Sequence, residues 1–269
     1  MRYHAPSREA VDPAVFDRMP LMAWLEYAAL LEDAEWPSIE ELNHRLPVGM
    51  AQHFVAQIPA LLADGLHYEQ RIAERGEIAT REGNWHDLLN ALVWLRYPAL
   101  KQLLNRRQMA EIARMGPKLR SRAQCAMTHF DEGGVLVEVG DPALLALWDA
   151  HDWHGLFWRH RQAWLDGSIR LELFGHALLE HALNPEKLLV GKALVFESTG
   201  EVGRVSARCV EAMVSGRLLQ DPLELRPLPL SGIPGWRADN AEEDFHRNTV
   251  CYQPRRAGRE YPPVFPHHD

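Results

Sequence analysis

Three short blocks of the chain concentrate side chains able to hold a cation or move a proton. They are WHDLLNALVW from Trp85, THFDEGG from Thr128 and FGHALLEHALN from Phe174. In the first, His86 and Asn90 are four residues apart, the spacing that puts two helix side chains on one patch, with Asp87 beside them. An imidazole and an amide so placed suit metal ligation or hydrogen bonding to a substrate. In the second, Asp131 and Glu132 are adjacent acids. Paired carboxylates can hold a hard cation, and their repulsion lifts one pKa toward the range of a general acid or base. In the third, His176 stands four residues before Glu180, at the first turn after a strand-like run, where side chains often line sites.

Together these residues suggest a hydrolase in which Asp131 and His176 hold a divalent metal and His86, Asp87, Asn90 and Glu132 are catalytic groups. Asp87 or Glu132 is the candidate base for a water whose pKa the metal lowers, and Asn90 the orienting group. No other cofactor is implied. Each block also has a plainer account. A polar network bracing neighbouring segments explains His86, Asp87 and Asn90. A β-turn explains Asp131 and Glu132, and a surface ion pair explains His176 with Glu180. The HExxH, P-loop, GxGxxG, GxSxG and CxxC signatures are absent from the sequence, which weighs against the commonest hydrolase, kinase and dehydrogenase classes.

The alternative is a non-enzymatic binding protein. Residues 96–122 hold eight basic side chains (Arg96, Lys101, Arg106, Arg107, Arg114, Lys118, Arg120 and Arg122) against one acid, Glu111. Such a stretch suits a small anionic ligand or a partner protein, or it faces the chain's own acidic N-terminal segment. The formal net charge of −8 argues against nucleic acid as a partner. The three cysteines, Cys125, Cys209 and Cys251, are widely separated and suggest neither a disulfide framework nor a thiolate zinc site. No apolar run approaches the roughly 18 residues that span a bilayer, and no signal core opens the chain, so the expectation is a cytoplasmic protein with no membrane segment.

The elements that must carry these residues follow from periodicity and breakers. Residues 14–33 and 38–64 read as short helices interrupted by Pro20, Pro37, Pro47 and Pro59. HYEQRIAERGEIAT reads as a strand or a polar connector. From Trp85 a helix presents Trp85, Leu88, Leu89, Leu92, Val93 and Leu95 to the core. Its other face holds His86, Asp87, Asn90, Ala91 and Trp94, and the Trp implies that this face is covered too. A second helix follows and stops at Gly116-Pro117.

RAQCAMTHF and VLVEVG flank DEGG as a β-hairpin, which puts His129 on the same side as Asp131. Further helices run from Pro142 and through DWHGLFWRHRQAW, where His160 shares the stripe of Trp153, Leu156, Phe157 and Trp164. SIRLEL and LLVGKALVFE are strand-like. The last 50 residues carry eight of the 18 prolines and read as an irregular wrap. The expected fold is therefore helix-rich α+β, with a small β-hairpin and strand region in the middle packed by helices and an irregular Pro-rich C-terminal segment. Residues 1–80 form a helical N-terminal region and 81–269 the main body with its C-terminal wrap, in one compact unit.

WHDLLNALVWLRYPALKQLLN, THFDEGG, LFWRHR, FGHALLE and PLPLSGIPGW, in that order, resemble the bacterial domain-of-unknown-function 3025 family. The similarity runs from about Trp85 to the C-terminus. The resemblance implies no activity, cofactor or catalytic residue. It does imply an acid near Cys125 in an RDAxTxFDE-like run. This chain reads RAQCAMTHFDE there, so a site that used that acid is altered.

Overall fold

The computed structural model describes residues 3–116, 118–198, 200 and 204–266. The chain opens in 3-10 turns (Arg8–Ala10, Pro13–Val15, Leu21–Tyr27), followed by α1 Ala28–Leu31 and α2 Ile39–His44. Next come β1 His53–Ala56, α3 Pro59–Leu62, α4 Tyr68–Arg75 and β2 Glu77–Thr80. The long helices α5 Trp85–Arg96, α6 Pro98–Met115 and α7 Arg122–Gly133 lead into β3 Gly134–Val139 and α8 Pro142–Ala150. A π-turn at Gly155–Arg159 precedes α9 Arg161–Leu165, β4 Ile169–Leu173, α10 His176–Ala182 and β5 Val190–Glu197. α11 Val205–Val214, β6 Arg226–Pro229 and α12 Glu243–Asn248 follow, with 3-10 turns at Pro222–Glu224, Leu230–Gly232 and Asp239–Ala241.

The main sheet has the order β4-β3-β5-β6. β3 pairs antiparallel with β4 and parallel with β5, and β5 pairs antiparallel with β6. All six residues of β3 are buried, as a strand covered on both faces requires. One hydrophobic cluster runs from Val11 to Ile233 and joins the N-terminal turns, the long helices and the sheet. This is the helix-rich α+β architecture that the sequence predicts, with helices packed on a small sheet.

The expected hairpin is not there. RAQCAMTHFDEG is helix α7, opened by a capping box in which Ser121 and Gln124 satisfy each other's backbone amides. Ala123, Ala126, Met127 and Phe130, spaced as one helix face, are buried. Asp131 and Glu132 therefore lie in the last helical turn, and His129 points away from Asp131 into solvent. The two glycines of DEGG make no hairpin turn: Gly133 ends α7 and Gly134 begins β3. Gly134 O accepts from both Phe174 N and Gly175 N. A Cβ on Gly175 would sit 2.4 Å from Gly134 N, so only glycine lets α10 start against β3.

Other local readings change for equally specific reasons. HYEQRIAER is helix α4, closed by Gly76 at φ 70°, and only EIAT is strand. The helical reading of 38–64 misses β1, which pairs in parallel with β2. His160 is exposed because the chain leaves helical geometry there (φ −109°, ψ 28°) after the π-turn, which rotates it off the Trp153 stripe. The helix from Pro98 ends at Gly116 as expected, while Pro117 lies outside the described residues.

The basic stretch is largely engaged within the chain. Arg96 bonds Glu26 and Ala23 O and stacks 3.8 Å over Trp24. Arg107 donates to Leu218 O, Arg114 pairs with Glu111, and Arg122 pairs with Asp221. Among the described residues no helix is long and apolar enough to cross a membrane.

Candidate metal centre

Helix α5 starts where the Asn84 side chain accepts from Asp87 N, a cap that places His86 in the first turn and Asn90 one turn later. Trp94 and Ala91 on that face are each 1% exposed, so the second face of the helix is covered, as the Trp implied. What covers it is α10, packed across α5 and α7, together with α4 and α6. All six sequence-predicted site residues (His86, Asp87, Asn90, Asp131, Glu132 and His176) line one cavity of about 580 Å³ between these helices.

The imidazoles of His86 and His176 meet edge to face, with Nε2 to Nε2 at 3.1 Å. His176 Nε2 is also 3.6 Å from Glu132 Oε2. One donor atom from each of His86, Glu132 and His176 lies within 4.8 Å of the others, a grouping able to hold a metal ion. Behind each ring stands a carboxylate. Glu180 Oε2 is 2.9 Å from His86 Nδ1, and Asp131 Oδ2 is 3.8 Å from His176 Nδ1. His176 Nδ1 is buried without a hydrogen-bond partner among the described residues. In both histidines, therefore, Nδ1 faces an acid and Nε2 faces the shared space. Between two bare rings, one Nε2 would have to carry a proton and the other accept it.

Electrostatics separate the two imidazoles. The Glu180 hydrogen bond raises the His86 pKa above the ordinary histidine value, against the effect of burial. Burial pushes His176, 4% exposed, down to about 3, so it is neutral across the physiological range. Burial also pushes the Glu132 carboxyl up. Burial pushes Asp131 the same way, but the Lys101 ammonium prevails, with help from His86, and holds it below the usual carboxylate range.

Lys101, 4% exposed, anchors the floor of the cavity. Its Nζ donates to Asp131 Oδ1 at 2.6 Å and to Asn90 Oδ1 at 2.9 Å. Asn90 Nδ2 in turn donates to the Tyr68 hydroxyl at 2.9 Å. A hydrogen-bonded chain thus runs from Tyr68 through Asn90 and Lys101 to Asp131, which backs His176. Asp87, at the mouth, accepts three hydrogen bonds from Arg81, at 2.6, 2.9 and 2.7 Å.

Sequence reasoning missed Lys101, Tyr68 and Glu69 as parts of this wall, and it paired Glu180 with His176 instead of His86. For Lys101 a signal existed: a single cation set among Leu100, Leu103 and Leu104, on a helix face otherwise suited to burial. Tyr68 and Glu69 were hidden by reading α4 as a strand or connector.

No curated protein and no solved structure matches the chain. A family model described as a protein of unknown function, DUF3025, matches residues 52–256. The match begins well before Trp85, taking in β1, α4 and β2 as well as the motif blocks. The whole site, from Tyr68 on α4 to Glu180 on α10, falls inside it, and the chain belongs to the DUF3025 family of proteins of unknown function.

Proposed function

We propose that the protein is a metal-dependent hydrolase whose divalent cation is held by His86, Glu132 and His176. The observation that carries this reading is the convergence of two imidazole Nε2 atoms, 3.1 Å apart, and a carboxylate oxygen on one cavity, with an acid behind each ring. At metal–nitrogen distances of about 2.1 Å, nitrogens 3.1 Å apart subtend roughly 95° at a shared cation, an ordinary angle between neighbouring ligands. Acids behind the Nδ1 atoms are the usual device for fixing the tautomer and aim of ligating histidines. Two histidines and one carboxylate leave coordination positions open, which a catalytic site needs and a structural site does not. A cation there would lower the pKa of water and polarise a carbonyl.

In this assignment Glu132 replaces Asp131 as the carboxylate ligand. Asp131, bonded to Lys101, orients His176 instead. His86 becomes a ligand. Asn90 ties Lys101 to Tyr68, and Asp87 fixes Arg81 at the cavity mouth. The competing reading, an anion binder on the 96–122 stretch, has less support, since Arg96, Lys101, Arg107, Arg114 and Arg122 already bond within the chain.

Metal analysis of untagged protein tests the proposal. About one equivalent of a transition metal, or a thermal upshift with Zn²⁺ or Mn²⁺ that His176→Ala abolishes, is expected. Absence of both rejects the metal centre.

A further inference from the structure

Asn90 fixes the direction of a hydrogen bond that is otherwise ambiguous. The Lys101 ammonium has protons to give and no lone pair, so the Asn90 atom 2.9 Å from it is the amide oxygen. The Asn90 nitrogen is then the atom 2.9 Å from the Tyr68 hydroxyl, and it can only donate. Tyr68 oxygen is therefore the acceptor, and its own proton must be directed elsewhere. Among the described residues the Tyr68 hydroxyl donates to none. The nearby Trp94 indole N–H, which has no full hydrogen-bond partner, can only donate and so does not receive that proton, and Tyr68 lines the cavity. Burial raises the Tyr68 pKa well above the ordinary phenol value, so the proton is present at neutral pH.

The surroundings indicate what the hydroxyl receives. Glu69, Asp87, Asp131 and Glu132 line the cavity with Arg81, Lys101 and Arg120; Arg81 and Lys101 are paired with Asp87 and Asp131, and the acids that act on the Tyr68 hydroxyl itself are Glu69 and Asp131. An anionic group beside Tyr68 would meet Glu69 and Asp131. A neutral acceptor would not, and the wall around it offers the side-chain amides of Gln57, Gln70, Asn105 and Gln108. We infer that Tyr68 is a substrate-recognition residue whose hydroxyl donates to a carbonyl oxygen of a neutral, amide-containing substrate, one group removed from the bond at the metal. This deepens the hydrolase reading and rests on it.

The test uses Co²⁺-loaded full-length protein, with binding followed by the visible absorption of the metal. Acetohydroxamate reaches the metal alone. N-acetylglycine hydroxamate adds one amide, and pentanohydroxamate has the same chain length without it. Wild type should bind N-acetylglycine hydroxamate about tenfold more tightly than either of the others, the fold-change of one net hydrogen bond. Tyr68→Phe should remove that preference, read as the ratio of the N-acetylglycine hydroxamate and pentanohydroxamate affinities of Co²⁺-loaded protein. A wild-type protein without the preference, a preference that survives in Tyr68→Phe, or equal weakening of all three probes overturns the inference and leaves the metal centre standing. Should Tyr68→Phe fail to fold, the comparison of the three probes on wild type decides alone. Failure of wild type to take up Co²⁺ overturns the metal reading and this inference with it.

Discussion

Lys101→Met deletes one charge from the floor of the cavity while keeping most of the apolar stem, so its effect isolates the ammonium. In the native protein Nζ holds Asp131 at 2.6 Å and Asn90 Oδ1 at 2.9 Å, and it lies 5.4 Å from the Trp94 ring. Removing one partner of a buried ion pair costs about 3–5 kcal/mol, because the remaining charge is left uncompensated. Asp131 keeps a side-chain exposure of 26%, and water will relieve part of its cost, which places the expected loss near the lower figure, about 3 kcal/mol. At the 2–4 °C per kcal/mol typical of chains somewhat smaller than this one, the midpoint should fall by roughly 6–12 °C.

Urea unfolding of wild type, Lys101→Met and Lys101→Met/Asp131→Asn provides the assay. The double variant removes the orphaned carboxylate and should recover at least half of the loss. Acidity gives a second check. Asp131 is held below its unfolded-state pKa, so its pairing stabilises the fold above about pH 4 and that contribution disappears as pH falls through the folded value. The gap between wild type and Lys101→Met should therefore narrow in acid. A loss under about 1 kcal/mol, or a double variant no more stable than the single, would refute the reasoning.

Further perturbations probe the site from other sides. Glu180→Gln should weaken Zn²⁺ binding about 10–100-fold by calorimetry with the fold unchanged, since Glu180 acts through His86. The same substitution should lower the His86 pKa in NMR titration of the metal-free protein, because the Glu180 hydrogen bond is what raises it. His176 stays neutral to about pH 3 when folded, while unfolded chains protonate near the ordinary value of about 6.5. Stability of the metal-free protein should consequently fall as pH drops below 6.5, at up to about 1.4 kcal/mol per unit from this residue. His176→Gln should flatten that slope in denaturation at pH 7 and pH 5, and an unchanged slope would contradict the buried neutral imidazole. Gly175→Ala should cost about 1–3 kcal/mol in thermal unfolding and abolish the Zn²⁺-induced upshift, since its Cβ would collide with the β3 backbone and displace His176. An alanine variant of native stability and metal response would show that the approach is not tight.

Much of this protein was legible in its residues. The helix from Trp85, its covered second face and the strands SIRLEL and LLVGKALVFE follow from local periodicity, because burial of a stripe or of alternate residues is written into the order of side chains. The ligand-capable residues were legible too, since few imidazoles and carboxylates sit among apolar positions without a reason. Their assembly was not. DEGG has the composition of a turn, yet the capping box at Ser121 and the apolar spacing behind it make helix, and the glycine that the approach of α10 to β3 requires is Gly175. Lys101 looks from sequence like one cation of a basic stretch. Only its burial against Asp131 and Asn90 turns it into part of the cavity. Likewise the exchange of Glu180 from His176 to His86, and of Asp131 for Glu132 beside the two rings, depends on how three helices cross. Residue types and local spacing determine which elements form and which groups could act. Distances of 3–4 Å between side chains some 45–90 positions apart are set by packing of the whole core, which no local pattern encodes.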